Sequence, residues 1–171
     1  MKVVKIGLIV IGSIVGLLII AAVGYRFLFS QGIAESFEVN SPELTIKVLI
    51  ASQGSGFKDA LVSGIIEDLE KKPIYMNVVD VSALPEIKED EWNALVVINT
   101  CQSGILQPDV KDYLTRIKKP ENVVLLTTSG SGNWKPEESP VDSISTASKK
   151  KNIGPLVAEI LERVEMILGK K

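Results

Sequence analysis

The chain of 171 residues contains no histidine. That removes histidine-based catalytic triads, histidine zinc sites and histidine phosphorelays together. It contains one cysteine, Cys101, so no internal disulfide forms and the fold must rest on an ordinary hydrophobic core. Cys101 also lies far from the amino terminus, which excludes a lipidated amino-terminal cysteine. An excess of positive charge is missing too. The formal net charge is −2, and no carboxylate precedes Glu35. This balance argues against a nucleic-acid surface, and the short run Lys149-Lys150-Lys151 reads as a solvated face.

Charge is absent altogether from Ile6 to Tyr25. The run is about twenty residues, the length a helix needs to span a bilayer. It is longer than the apolar core of a secretory signal. It predicts a cytoplasmic tip and a single-pass transmembrane anchor over 1–29, a polar linker over 30–43 and one domain over 44–171. Lys2 and Lys5 precede the span, whereas Arg26 is followed by Glu35, Glu38 and Glu43. That bias keeps the amino terminus in the cytoplasm and puts the domain outside it, at the cell membrane. Gly12 and Gly16 form a GxxxG pair that would let two anchors dimerise, although the same spacing arises by chance in apolar segments with several glycines.

The domain is organised around Leu44 to Lys72. A β-branched run from Thr45 to Ala51 reads as a strand buried on both faces. It breaks at Ser52-Gln53-Gly54-Ser55-Gly56, where the backbone can turn sharply and approach a ligand. From Phe57 the period changes, and Phe57, Leu61, Ile65 and Leu69 form one apolar helical stripe. Strand, hydroxyl-bearing glycine loop and helix amino terminus together make an anion cradle. The loop is not a Walker loop, since no Gly-Lys-Ser/Thr follows. Nor is it a full GxGxxG, since Asp59 stands at the third glycine.

Further strands are expected at Ile74–Val81, Ala94–Ile98, Val123–Thr127 and Val141–Ser148. Helices are expected from Pro108, with Val110, Tyr113, Leu114 and Ile117 on one face, and from Gly154-Pro155 to Gly169. Alternating strands and helices predict an α/β domain with a parallel sheet. Loops that follow such strands gather at the carboxyl edge of the sheet, where these folds bind ligands. The loops rich in Gly, Ser and Thr (Ser52 to Gly56, Thr100 to Gly104, Thr128 to Trp134) all follow strands.

In the order of its elements and the placing of these loops, the chain resembles the flavodoxin-like family over residues 44–169. The resemblance implies a doubly wound, parallel five-stranded sheet in the order 2-1-3-4-5, plus the one transmembrane helix ahead of it. It also implies non-covalent binding of flavin mononucleotide. Ser52, Gln53, Gly54, Ser55, Gly56 and Lys58 then correspond to the phosphate loop. Thr100, Cys101, Gln102, Ser103 and Gly104, with Thr128, Ser129 and Gly130, flank the isoalloxazine ring, and Trp134 stacks on it. Such a protein passes electrons to a membrane redox partner. Its chemistry belongs to the flavin, which the protein tunes, and it needs neither catalytic side chains nor a metal. Departures are visible as well. Lys58 replaces the last hydroxyl of the family's phosphate loop and Gln53 an earlier one, and no helix is evident between the fourth and fifth strands. These departures motivate the alternative, a cofactor-free binding or scaffold domain of the same fold at the membrane surface.

Other readings are weaker. A phosphoacceptor receiver needs acids after its first and third strands, where this chain has Ala51-Ser52 and Asn99-Thr100. Asp142 to Ser148 loosely resembles the stretch of exported flavoproteins that carry flavin esterified to a final hydroxyl, here Ser148, but Thr146 replaces its glycine. Cys101 reads as a small buried filler and Trp92 as core or edge packing. A hydrolase without histidine would need carboxylate or Ser-Lys catalysis, and the spacing alone singles out no such pair.

Overall fold

Strand β3 (Ile46–Gly54) lies at the centre of a sheet that gathers residues from Gly32 onward. The computed structural model describes residues 2–29, 31–136, 139–141 and 143–169, with the backbone alone at 2–10 and 25–29. The chain divides into two units, 1–31 and 32–171. The first is helix α1, Lys2–Phe29. Among the described residues no helix is long and apolar enough to cross a membrane. Described side chains of α1 run from Ile11 to Gly24, roughly 21 Å of helix at 1.5 Å per residue against the ~30 Å of a bilayer core. This finding overturns the transmembrane helix expected over Ile6 to Tyr25, whose outer residues lie beyond the described side chains.

In the second unit, β4 (Ile74–Asp80), β3, β5 (Ala94–Thr100), β6 (Val123–Thr128) and β7 (Ser143–Thr146) pair in parallel, in that spatial order. Two more strands make the sheet seven-stranded and mixed. β1 (Gly32–Ile33) pairs antiparallel with the end of β3, and β2 (Phe37–Val39) pairs antiparallel with β4. The purely parallel five-stranded sheet is corrected accordingly. Both added strands fall within the stretch expected as a linker. Asn40 closes β2: its φ of 65° lies in the left-handed region that asparagine tolerates, and its Nδ2 donates to the Ile74 carbonyl at 2.8 Å.

The central strands are unbroken apolar runs because both faces are covered. Val48 and Ile50 of β3 join Val96, Ile98, Val124 and Leu126 beneath helices α2 (Gly56–Leu69) and α4 (Ile153–Gly169). Leu49 and Ala51 point the other way, with Leu95, Val97 and Leu125, toward helix α3 (Pro108–Arg116) and the 3-10 turns at Val81–Glu86. In α2, Leu61, Ile65 and Leu69 are fully buried, each contributing about 1.5–3 kcal/mol of burial. Phe57 packs beside them, half-buried. α3 starts where Pro108 fits the first helical position, and the Gln107 side chain accepts from Val110 N at 2.8 Å. Among the described residues the connection from β6 to β7 holds no helix. Trp92 stacks on Tyr75 with centroids 6.0 Å apart, at the start of β5.

Candidate functional site

The parallel strands end together, so the segments after β3, β5 and β6 meet on one edge. β3 continues through Gly54, which puts Ser52, Gln53 and Gly54 in the strand and leaves Ser55 alone between strand and helix. Side chains then join the segments. Gln53 Oε1 accepts from Thr100 N at 2.7 Å, and the hydroxyls of Thr100 and Thr128 lie 2.8 Å apart. Cys101 N donates to the Thr128 carbonyl at 2.8 Å, and Ser129 N to the Thr146 carbonyl at 3.0 Å. Ser52 and Thr128 are buried within this edge. Gln53, Thr100, Cys101, Thr128 and Ser129 are thus brought together.

The remaining expected residues point outward or hold turns. Gln102 and Ile105 bridge a two-residue hairpin turn in which Ser103 and Gly104 both take positive φ, 52° and 79°. Gly130 is exposed at the tip of its loop. Trp134 is half-buried, and its carbonyl accepts from Ser145 Oγ at 2.5 Å, which ties the loop back onto β7. Cys101 is buried, and burial pushes its thiol upward while the backbone of Gly104 opposes this. A protonated thiol is a poor nucleophile. Asp142, of the flavin-ester pattern, lies outside the described residues.

A second cluster surrounds the start of α2. Ser55 is its N-cap, and its Oγ accepts from Lys58 N at 3.4 Å. Lys58 turns inward instead of reaching solvent; it is 1% exposed and its Nζ donates to the same Oγ at 3.4 Å. Burial pulls this ammonium from 10.5 down to about 8, with Asp59 pulling it upward less strongly. Beside the cluster β1 crosses β3 so closely that a Cβ at Gly54 would lie 2.6 Å from the Ile33 carbonyl oxygen. Asp80 holds the crossing in place: its Oδ2 accepts from Ala34 N at 2.8 Å and its Oδ1 from Ser82 N at 3.0 Å.

Between Gly32–Phe37 and α2 opens a cavity of about 490 Å³. Hydroxyls of Ser55 and Ser63, carboxylates of Glu35 and Asp59, and the apolar Phe37 and Val62 are among its walls. Neither Thr100–Gly104 nor Thr128–Trp134 contributes to it. Another cavity, about 340 Å³, lies at the opposite end of β3, beside Ile46 and Ile74, away from these segments. Among the described residues no cluster of His, Cys, Asp and Glu fits a metal ion. Sequence reasoning missed Glu35, Ser63 and the pairing of Ser55 with Lys58. For the last, the three-residue spacing at a helix start was the available signal.

A flavin phosphate at this loop would compete with bonds the cradle already makes, although the Gly56 and Phe57 N–H groups at the start of α2 have no partner inside the helix. Lys58 N donates to Ser55 Oγ, Asp59 N to the Ser55 carbonyl and Lys58 Nζ to Ser55 Oγ. The adjoining space is walled by two carboxylates, which repel an anion. None of the segments expected to flank the ring lines that space.

The parallel core, its helices on both faces and the carboxyl-edge loops define a flavodoxin-like α/β fold. No family model and no curated protein sequence matches the chain. Among solved structures it is similar to the metal-soaked Flv1 flavodiiron core from Synechocystis, with a TM-score of 0.55 and 12% identity over 75% of this chain. That alignment spans 38% of the Synechocystis chain. A flavodoxin from the domain Archaea aligns with a TM-score of 0.48 and 14% identity, over 71% of this chain and 99% of its own. At 12% identity the likeness to the Synechocystis structure concerns the fold alone.

Proposed function

We propose that this chain is a flavodoxin-like binding domain that works without flavin and takes its ligand in the groove between Gly32–Phe37 and α2. The observation that carries this reading is the commitment of the former cradle: Gly54 is crossed by β1, Lys58 is buried, and the open space lies on the acidic side. Glu35 and Asp59 favour a cationic group, and Phe37, Val62 and Val78 favour an apolar stem. A small aromatic or aliphatic ammonium compound combines the two. Titrating the isotope-labelled protein with benzylamine is expected to shift the amide resonances of Ala34, Ser55, Asp59 and Ser63. Flavin mononucleotide is expected to leave them in place and keep its free fluorescence. Retained, quenched flavin with shifts at Thr100 and Thr128 would overturn the reading.

That second result would favour an electron carrier that binds flavin mononucleotide and serves a redox partner. The hydrogen-bonded series Gln53–Thr100–Thr128, which gathers all the expected loops on one edge, supports this reading. So does Trp134, half-buried and tied to β7 through Ser145.

A further inference from the structure

We propose that Ser55 is a nucleophile for acyl transfer and that Lys58 is the base that activates it, acting on an ester or amide bound in the acidic groove. This inference rests on the groove being the ligand site.

The two side chains divide the work by depth. Ser55 is half-buried and forms part of the cavity wall, so a carbonyl in the groove can reach its Oγ. Lys58 stands behind it, 1% exposed, with Nζ 3.4 Å from that oxygen. Free-enzyme contacts of this kind tighten in the substrate complex. An amine out of water gives up its proton more readily than one in water. Lys58 is held at about 8, so an appreciable neutral fraction exists near neutral pH to accept a proton. A serine without such a partner is a weak nucleophile.

The surroundings suit the chemistry. Ser55 sits at a strand-to-helix turn between two glycines, where its Oγ caps α2 and lies 3.4 Å from both Lys58 N and Lys58 Nζ. A Cβ at Gly56 would meet nothing within 4 Å, so the space over that residue is open. The N–H groups of Gly56 and Phe57 belong to the first turn of α2 and have no partner inside the helix. They and the positive end of the helix dipole would favour an oxyanion formed at Ser55.

In the step proposed, the Ser55 hydroxyl proton passes to the neutral Lys58 amine while Oγ bonds to the carbonyl carbon. The tetrahedral adduct collapses, the bond to the leaving alcohol or amine breaks, and that group takes the proton from the Lys58 ammonium. Water then attacks the Ser55 ester, giving one proton to Lys58. Collapse releases the carboxylic acid and returns a proton to Ser55 Oγ. The acidic walls select an acyl or leaving group that carries an ammonium on an apolar stem.

The full-length protein is treated with 4-(2-aminoethyl)benzenesulfonyl fluoride, a cationic aromatic sulfonylating reagent, and digested for mass spectrometry. One adduct on Ser55 is expected, forming faster as pH rises with a midpoint near 8. Ser55→Ala removes it, and Lys58→Met, which keeps the volume and loses the amine, slows it about 100-fold. Labelling of Ser55 no faster than of Ser63, or at a rate unaffected by Lys58→Met, would overturn the proposal. The pH profile of the wild-type protein decides alone if Lys58→Met does not fold: a flat profile counts against the dyad. Benzylamine distinguishes the groove from the dyad. Resonance shifts without a Ser55 adduct leave the groove and remove the dyad, whereas an adduct that benzylamine does not slow keeps the dyad and removes the groove.

Discussion

A Cβ at Gly54 would lie 2.6 Å from the carbonyl oxygen of Ile33 and 2.9 Å from the backbone carbon of Gly32. The closeness is between two backbones, so no side chain can move aside to relieve it. Gly54→Ala should therefore push β1 off β3, at a cost of about 1–3 kcal/mol. Hydrogen exchange is expected to speed up at Gly32–Glu35 and stay slow in β5 and β6. Gly56→Ala is the control, since its Cβ meets nothing within 4 Å and it gains up to ~1 kcal/mol of helix propensity. Equal behaviour of the two variants would remove the steric role of Gly54.

Loss of the α2 cap is measurable on its own. Ser55→Ala removes the oxygen that accepts from Lys58 N and should cost about 1 kcal/mol, read as a drop of a few degrees in Tm. Ser55→Asp restores a good capping group at the positive helix end and should recover most of the loss. If Ala and Asp behave alike, the cap contributes little.

Lys58 gives the stability a particular pH dependence. Its value is about 8 in the folded protein and 10.5 for the unperturbed side chain. Between these the unfolded chain binds more protons than the folded one, so this group makes stability rise with pH. The penalty is complete below 8 and gone above 10.5, and amounts to about 3 kcal/mol. Lys58→Met removes it. Relative to the wild type, the variant should be most favoured near pH 7 and lose that advantage steadily toward pH 10 in urea melts. A difference that does not change with pH would show that the amine is not desolvated.

The contact of α2 with α4 depends on a missing side chain. A Cβ at Gly64 would lie 2.8 Å from Cγ2 of Val157 and 3.4 Å from its Cγ1. Gly64→Ala adds helix propensity but crowds a β-branched side chain with little freedom to turn away, so a net loss of about 1 kcal/mol is expected. In the background of Val157→Ala the crowding disappears. The double variant should then exceed the sum of the single effects by about 1 kcal/mol in a mutant cycle. Simple additivity would mean that the helices move apart at no cost.

The parts of the fold legible in the sequence are those with a period. Unbroken runs such as Ala94–Ile98 and Val123–Thr127 marked the buried strands, and Leu61, Ile65 and Leu69 marked the inner face of α2. β1 and β2, two and three residues long, are too short to show a period; pairing partners far along the chain define them. Ser52–Gly54 has loop composition yet belongs to a strand, because Ser52 pairs with Asp80 and Ile98 and β1 supplies the neighbour that Gln53 and Gly54 need. In the sequence Lys58 only takes the place of a hydroxyl in the expected phosphate loop. Its depth depends on packing that no local pattern encodes. The gathering of three loops on one edge could be read from element order alone. The side on which space opens could not, since Gly32–Phe37 decides it.

Residues 32–39 leave the ribosome before the strands that receive them exist. Ile33 waits for Gln53 and Phe37 for Val78, and in a chain made from its amino terminus those partners come later. β4 must itself align beside β3 before β2 has an edge to join. The wall of the groove that carries Glu35 and Phe37 is therefore completed after the central strands, as a late step in assembly. A truncated product ending before β4 would present Phe37 and Val39 to solvent with no strand to cover their backbone, so full-length synthesis and closure of the groove are coupled events.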